Sequence, residues 1–385
     1  MNSSPILEVV VTARPSWARV KHLVLNYASL HGQDKIRVSL VGPAVSKRYG
    51  DISKQIPDWL KVFQFPALHD SDELDAVALT CIEGANALVR HWAQNRPDCV
   101  LVIADRTETL GVSMSAALMQ IPLIHLQGGE ISGSIDDKIR DTNSKLADFH
   151  LTTNEFTKKR LVEIGEPEDL IRVVGCPSID IVNEVMNLKD RIQLTQEELS
   201  GVGNNFDLKS KYGIVMFHPD TLNEPQNMIW IKEIINSIEV SGINWFWFWP
   251  NPDHGTNSIS KEIRHSREVG KLERVKFIIN LPPEKFVQLV SNSKIMIGNS
   301  SFGIRESSFL GLPVVNIGKR QNGRQRSSNV TDLEDSAKSL DLSSVIKSNL
   351  DKFYPQSTLY GDGNSGFKAA KIIGEWIPKI KVRKI

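Results

Sequence analysis

The 385-residue chain is 41% hydrophobic and 24% charged, with a formal net charge of +1, which suits a globular protein of two ordinary domains. Near-neutrality leaves no excess of cations to neutralise a polyanion, and this argues against a general role on nucleic acid or a membrane surface. Three widely spaced cysteines (Cys81, Cys99, Cys176) with no CxxC pair argue against a disulfide framework and a cysteine zinc site.

The opening MNSSP runs straight into the strand-like ILEVVVTA, without a basic stretch or cleavage signature. No apolar span approaches ~20 residues, so a cytoplasmic protein is expected. In the first half, β-branched runs at 7–11, 37–41, 99–103, 123–125, 150–152 and 171–174 predict strands. Amphipathic stretches at 18–30, 74–92, 108–119, 138–147 and 155–164 predict the helices between them. A polar, weakly patterned stretch at 187–211 reads as a linker. The rhythm then resumes, with strands at 213–217, 245–249, 275–279, 295–297 and 314–317 and helices at 224–240, 283–291 and 303–310. An amphipathic segment at 366–377 has no strand after it. Strand–helix–strand spacing of this kind predicts right-handed βαβ units, hence an α/β protein with two parallel-sheet domains facing a cleft. The expected division is 1–186, the linker 187–211, 212–365 and a tail at 366–385. Ligands of open α/β sheets bind beyond the carboxyl ends of the strands, so the loops that follow them are where chemistry is sought.

After the first strand comes TARPSWAR, where Arg14 is either a phosphate ligand or a surface arginine. After the third comes Asp105-Arg106-Thr107-Glu108, an ion pair of local use or a general base beside a phosphate ligand. HLQGGEISGSIDDKIRD follows the fourth, with paired glycines, Glu130, Asp136, Asp137 and Arg140. Asp136 and Arg140 are four apart, which makes either a helical salt bridge or a carboxylate held for proton transfer. In the second half, His218 ends one strand and Asn251-Pro252-Asp253 ends the tryptophan run WFWFW, itself a buried core strand. GNSSFGIRE then places Ser300, Ser301 and Gly303 at a strand-to-helix turn, an arrangement that offers backbone N–H groups to an anion. Lys319, Arg320, Arg324 and Arg326 end the next strand, and guanidinium forks suit oxyanions. There is no HExxH, EF-hand or Walker A pattern, and no GxGxxG after the first strand.

Taken together, TARPSWARVK, HLQGGEISGSIDDKIR, VGCPSID, HPDT, GNSSFGIRE and NIGKRQNGR resemble the hydrolysing UDP-N-acetylglucosamine 2-epimerases of sialic- and nonulosonic-acid pathways. The resemblance implies a GT-B-like architecture of two Rossmann-like domains, with the sugar nucleotide in the cleft and the C-terminal helix packed back on the first domain. It implies uridine diphosphate ligands at Ser300, Ser301, Glu306 and Arg320, phosphate ligands at Arg14 and Arg106, and His218 near the diphosphate, with Asn251 and Asp253 lining the same site. Its catalytic set falls on Asp105, Glu130, Asp136, Asp137, Asp180 and His218, with Arg140 as organiser or substrate ligand. The implied reaction removes the C2 proton as the C1–O bond to UDP breaks, giving 2-acetamidoglucal. Water then adds at C1 and a proton returns to C2 from the other face. No metal or nicotinamide cofactor is required by this chemistry, and a homodimer or homotetramer is implied.

Four positions depart from the family pattern. Ser16 stands where an acid is usual, Ala44 where a histidine is frequent, and Gln127 where glutamate or histidine is common. The helix motif IRHAITKL becomes IRDTNSKL, so that Asp141 replaces a histidine. These changes surround the expected sugar pocket and leave the nucleotide side intact. A modified sugar such as a 2,4-diacetamido-trideoxyhexose, simple hydrolysis or arrest at the glycal, and lost catalysis are all compatible with them. Outside this chemistry, a nucleotide-sugar glycosyltransferase or a binding protein shares the nucleotide side, while the non-hydrolysing sister branch interconverts the two UDP-sugars. The carboxylates after His125 favour an enzyme.

Overall fold

In the computed structural model, residues 5–46, 52, 55–69, 74–132, 135–220, 224–250, 256–334 and 341–379 are described. The chain forms two compact units, Met1–Asp180 with Gly361–Ile385, and Ile181–Tyr360.

The first unit is built on a parallel sheet of β1 (Leu7–Val11), β2 (Ile36–Val41), β3 (Lys61–Phe65), β4 (Cys99–Ile103), β5 (Leu123–Leu126), β6 (Phe149–Thr152) and β7 (Ile171–Val173). Its helices are α1 (Arg14–His31), α2 (Leu74–Gln94), α3 (Thr107–Leu118), α4 (Ile135–Leu146) and α5 (Glu155–Glu163), while α6 (Pro177–Met186) carries the chain into the second unit. The strand order is β3-β2-β1-β4-β5-β6-β7. It reverses between β1 and β4, the place where open α/β sheets bind ligands. β1 and β4 read as unbroken apolar runs because helices cover both faces of the sheet. Glu8 in β1 is the exception; fully buried, it accepts from Arg37 Nε at 2.7 Å, Ser39 Oγ at 2.6 Å and Trp92 Nε1 at 2.8 Å.

The second unit holds β8 (Tyr212–Met216), β9 (Asn244–Phe248), β10 (Val275–Ile278), β11 (Met296–Gly298), β12 (Val314–Ile317) and β13 (Val330–Leu333). Helices α7 (Glu224–Glu239), α8 (Thr256–Glu268), α9 (Pro283–Ser291), α10 (Glu306–Leu310) and α11 (Leu342–Asn349) connect or cover them. The order β10-β9-β8-β11-β12-β13 reverses between β8 and β11. Trp245 and Trp247 of the WFWFW run are fully buried, as a core strand requires.

The polar stretch 187–211 is part of this second unit. Leu199 is wholly buried in its core, and Val202 pairs antiparallel with Phe277 along β10 (N–H to O distances of 3.0 and 2.7 Å). Polarity misleads there because the stretch covers a sheet edge, which needs backbone groups more than apolar side chains. Gly201 fits for the same reason, since a Cβ there would lie 1.9 Å from Phe277 O.

The last helix, α12 (Ser365–Trp376), returns to the first unit and packs on α1. Gly366 lets the two backbones meet, because a Cβ would come within 2.6 Å of Leu23 N. Trp376 stacks on Phe149 at 4.4 Å between ring centroids.

Candidate functional site

At the switch point of the first unit, β1 runs into Ala13 and α1, and β4 into Ala104-Asp105-Arg106. Arg14 is the first residue of α1, half-buried, and its desolvation lowers its pKa. Asp105 pairs with Arg140, a guanidinium only 1% exposed. Arg140 Nη1 also donates to Asp137 Oδ1 at 2.5 Å and to the carbonyl of Glu130 at 2.8 Å. Asp137 accepts in addition from Ser132 N and Oγ, each at 2.7 Å. The Glu130 carboxylate is buried and accepts from Thr153 Oγ1 at 3.0 Å. Arg140 thus ties together the side chains of Asp105 and Asp137 and the backbone of Glu130, while Asp136 lies half-buried one residue earlier on α4.

The paired glycines make this possible. A Cβ on Gly129 (φ 80°) would lie 2.3 Å from Thr157 O, and one on Gly128 would lie 2.8 Å from Ser144 Oγ. The turn after β5 therefore closes onto α4 and α5 only without side chains there.

Arg106 stands at the N-cap position of α3, and its side chain forms a two-point pair with Glu108, both contacts at 3.1 Å. Asp180 accepts from Ser365 N at 2.8 Å and Gly366 N at 2.6 Å. Those are orphan N–H groups of the first turn of α12, so this carboxylate caps a helix. Burial raises its pKa and the two N–H bonds oppose that shift.

The four departures do not share one environment. Ser16 is buried in the first turn of α1, and Ala44 is buried in the short turn after β2. Gln127 is left-handed (φ 67°) and buried; it donates to Cys176 Sγ at 3.2 Å and accepts from Arg19 Nη1 at 3.5 Å. Asp141 forms a two-point pair with Arg160 at 2.6 and 2.7 Å, which raises the Arg160 pKa.

In the second unit, the loop after β8 carries His218 and the loop after β11 carries Asn299-Ser300-Ser301. Asn299 joins the two loops, its Oδ1 accepting from His218 N and its Nδ2 donating to His218 O, each at 2.8 Å. Gly298 (φ 133°) permits the approach, since a Cβ would lie 2.0 Å from Met216 O. His218 is nearly fully buried, and burial together with nearby Arg320 pushes its pKa down to about 3. Ser300 accepts from Phe302 N at 3.4 Å and heads the tight turn of Ser301, Phe302 and Gly303. Ser301 Oγ accepts from Arg305 Nη2 at 3.2 Å. Glu306 is buried, and its Oε2 has no hydrogen-bond partner, with Arg305 Nε 3.7 Å away. Arg320 Nη1 and Gln321 Nε2 both reach Asn299 O, at 3.4 and 2.8 Å. Beside them lies a cavity of about 70 Å³, walled by Phe217, Trp230, Asn299, Ile317 and Arg320 among others. Arg326 instead pairs with Asp332 on β13 at 3.0 Å, a structural use. Asn251 and Asp253 lie outside the described residues.

Sequence reasoning passed over Asn143, Thr153 and Gln321. Asn143 and Gln321 are almost fully buried amides, and Thr153 is a buried hydroxyl. The signal for Asn143 was a polar residue on the face of α4 that turns toward the sheet. Among the described residues no group of three or more His, Cys, Asp or Glu is placed to hold a metal ion, and no helix is long and apolar enough to cross a membrane.

The sequence profile of the family described as UDP-N-acetylglucosamine 2-epimerase matches residues 30–374. A UDP-N-acetylglucosamine 2-epimerase of Neisseria meningitidis serogroup B is 30% identical over 332 residues, covering 84% of this chain and 83% of the relative. A UDP-N,N'-diacetylbacillosamine 2-epimerase (hydrolyzing) of Legionella pneumophila is 32% identical over 277 residues, covering 72% of this chain and 71% of the relative. Among solved structures, the Methanocaldococcus jannaschii UDP-GlcNAc 2-epimerase in complex with UDP-GlcNAc and UDP superposes with a TM-score of 0.79 at 15% identity. It covers 96% of this chain and 99% of its own, a likeness of fold.

Proposed function

The chain belongs to the UDP-N-acetylglucosamine 2-epimerase family, and from that we propose that it is a cytoplasmic hydrolysing 2-epimerase of a UDP-linked 2-acetamido sugar. UDP-N-acetylglucosamine is the first substrate to test, with N-acetylmannosamine and UDP as products. The observation that carries the reading is buried Arg140 at the switch point of the first unit, which holds the carboxylates of Asp105 and Asp137 and the backbone of Glu130. Carboxylates fixed in this way suit removal of a proton at C2 and its return from the opposite face after water has added at C1. The C2 proton is weakly acidic, so departure of UDP must be made easy. Positive groups and hydrogen-bond donors where charge builds on the diphosphate lower that barrier.

In this reading the second unit binds the nucleotide. Ser300 and Ser301 take phosphate oxygens, Arg320 and His218 face the diphosphate, and Glu306 takes ribose hydroxyls. The Oε2 of Glu306, which accepts no hydrogen bond and meets Arg305 Nε only at 3.7 Å, supports the last assignment, because a buried acceptor without a donor is costly until a ligand supplies one. His218 is neutral in the free protein and gains basicity as the diphosphate arrives. In the first unit Arg14 and Arg106 serve the phosphates, Arg106 by exchanging Glu108 for the ligand. Asp136 shares in proton transfer, and Asp180 acts through the α12 cap.

A second reading, the same reaction on a 2,4-diacetamido-trideoxyhexose nucleotide, is supported by the name of the Legionella relative and by neutral Gln127 and Ala44. Incubation with each nucleotide sugar, followed by chromatography of products, tests both readings. Free 2-epimerised sugar with equimolar UDP is expected. An epimerised UDP-sugar without free sugar, or UDP release only when an acceptor is present, overturns the hydrolysing assignment.

A further inference from the structure

We propose that His125 and Asn143 are positioning residues for the Asp105–Arg106 loop, an inference that rests on the function above for what Asp105 and Arg106 do. Ala104, the residue before Asp105, sits in the left-handed region at φ 60°. For an alanine that conformation costs roughly 1 kcal/mol or more, so other contacts must hold it. Its carbonyl accepts from His125 Nε2 at 2.9 Å and Asn143 Nδ2 at 3.4 Å, and its N–H donates to Leu126 O at 2.9 Å. On the other side of Asp105, the carbonyl of Arg106 accepts from the hydroxyl and the N–H of Thr109. Thr109 Oγ1 in turn accepts from Asn143 Nδ2 at 2.8 Å. Both carbonyls that flank Asp105 are therefore fixed through buried polar groups. Helix α4 supplies Asn143 to the backbone and Arg140 to the side chain of the same aspartate.

His125 and Asn143 are 0% exposed, so they lie beneath the loop and act through it. Because His125 Nε2 faces a carbonyl it carries the proton, and Nδ1 accepts from Ser144 Oγ at 2.9 Å. Burial keeps the ring neutral, and this tautomer makes its two bonds directional. Asn143 also bears a cost, since its Oδ1 is buried with no hydrogen-bond partner. A leucine at 143 removes that unpaired acceptor and loses only the Nδ2 contacts. Stability and function are thus expected to move apart at this position, which a merely structural residue does not do.

The test uses Asn143→Leu, His125→Phe and His125→Gln in the full chain, with four readouts: thermal midpoint, UDP affinity, kcat, and amide exchange over residues 104–109. Asn143→Leu is expected to keep or raise the thermal midpoint while kcat falls by up to about 10²-fold. Exchange over 104–109 is expected to rise about tenfold, and UDP affinity to weaken with it, because Arg106 lies in that segment. His125→Phe shows the same loss of kcat, and His125→Gln, which keeps a donor, recovers much of it. Unchanged exchange at 104–109 in Asn143→Leu and His125→Phe overturns the proposal. So does a kcat loss that tracks the thermal midpoint and that His125→Gln fails to rescue. If the unaltered protein turns over no nucleotide sugar, the assigned function fails instead, and exchange at 104–109 alone decides the positioning role.

Discussion

Arg140 is buried among three acceptors, two of them carboxylates about one-fifth exposed. Removing it leaves those carboxylates without their cation, and breaking a buried pair in this way costs about 3 kcal/mol. Arg140→Met is therefore expected to lower the unfolding free energy measured in urea by that amount and to abolish turnover. Arg140→Lys, which keeps the charge but not the fork, is expected to fold better and still turn over poorly. A fully active lysine variant contradicts the organising role. The buried imidazoles give a second prediction. Burial lowers His125 from 6.5 to about 4, and lowers His218 from 6.5 to about 3. Between 6.5 and those values the unfolded chain binds a proton that the folded chain does not, so stability falls as pH falls. The slope is about 1.4 kcal/mol per pH unit for each ring. Urea midpoints from pH 7 to 5 should show the decline, and His125→Gln should make it shallower. An unchanged slope in that variant contradicts the assignment.

The loop glycines and the α12 cap show how whole segments are placed. Gly129→Ala puts a Cβ against Thr157 O at a left-handed position, and is expected to cost about 2 kcal/mol and to displace Glu130. Circular dichroism melts and kcat check both effects, and an active variant with an unchanged melt contradicts the packing argument. Asp180→Ala removes the α12 cap, at a cost of about 1 kcal/mol. Amide exchange in α12 should rise more than in α1 if the carboxylate acts there; a large kcat loss without that rise would return Asp180 to the proton-transfer set. Much of this was legible in the sequence. Central strands β1, β4, β8 and β12 are fully buried or nearly so, and their apolar runs announced them. β3 and β13 were not legible because they are edge strands, only partly buried, and KVFQF and VTDL carry no apolar run. At the site, residue types and loop positions pointed to Asp105, Asp137, Arg140 and Ser300. The sequence did not show that Asp141 faces Arg160, or that Asp180 meets a segment 185 residues further on. Long-range partners leave no local spacing to read.

Helices α2 and α3 pack side by side and expose Ile82, Val89, Met114 and Leu118, at 60%, 38%, 43% and 78%. Apolar side chains exposed on neighbouring helices suit an interface with a second copy, in keeping with the homodimer or homotetramer that the family resemblance implies. Ile82→Lys with Leu118→Glu is expected to give a folded monomer by sedimentation equilibrium. An assembly that survives both changes places the interface elsewhere, and a native protein that is already a monomer contradicts the assembly. The measurement that bears most directly on the whole account is proton NMR of the protein with UDP-N-acetylglucosamine, and then with the diacetamido nucleotide, in deuterated water. Free 2-epimerised sugar carrying deuterium at C2, together with UDP, is the predicted result. Free sugar that keeps its C2 proton, or no reaction with either substrate, contradicts it.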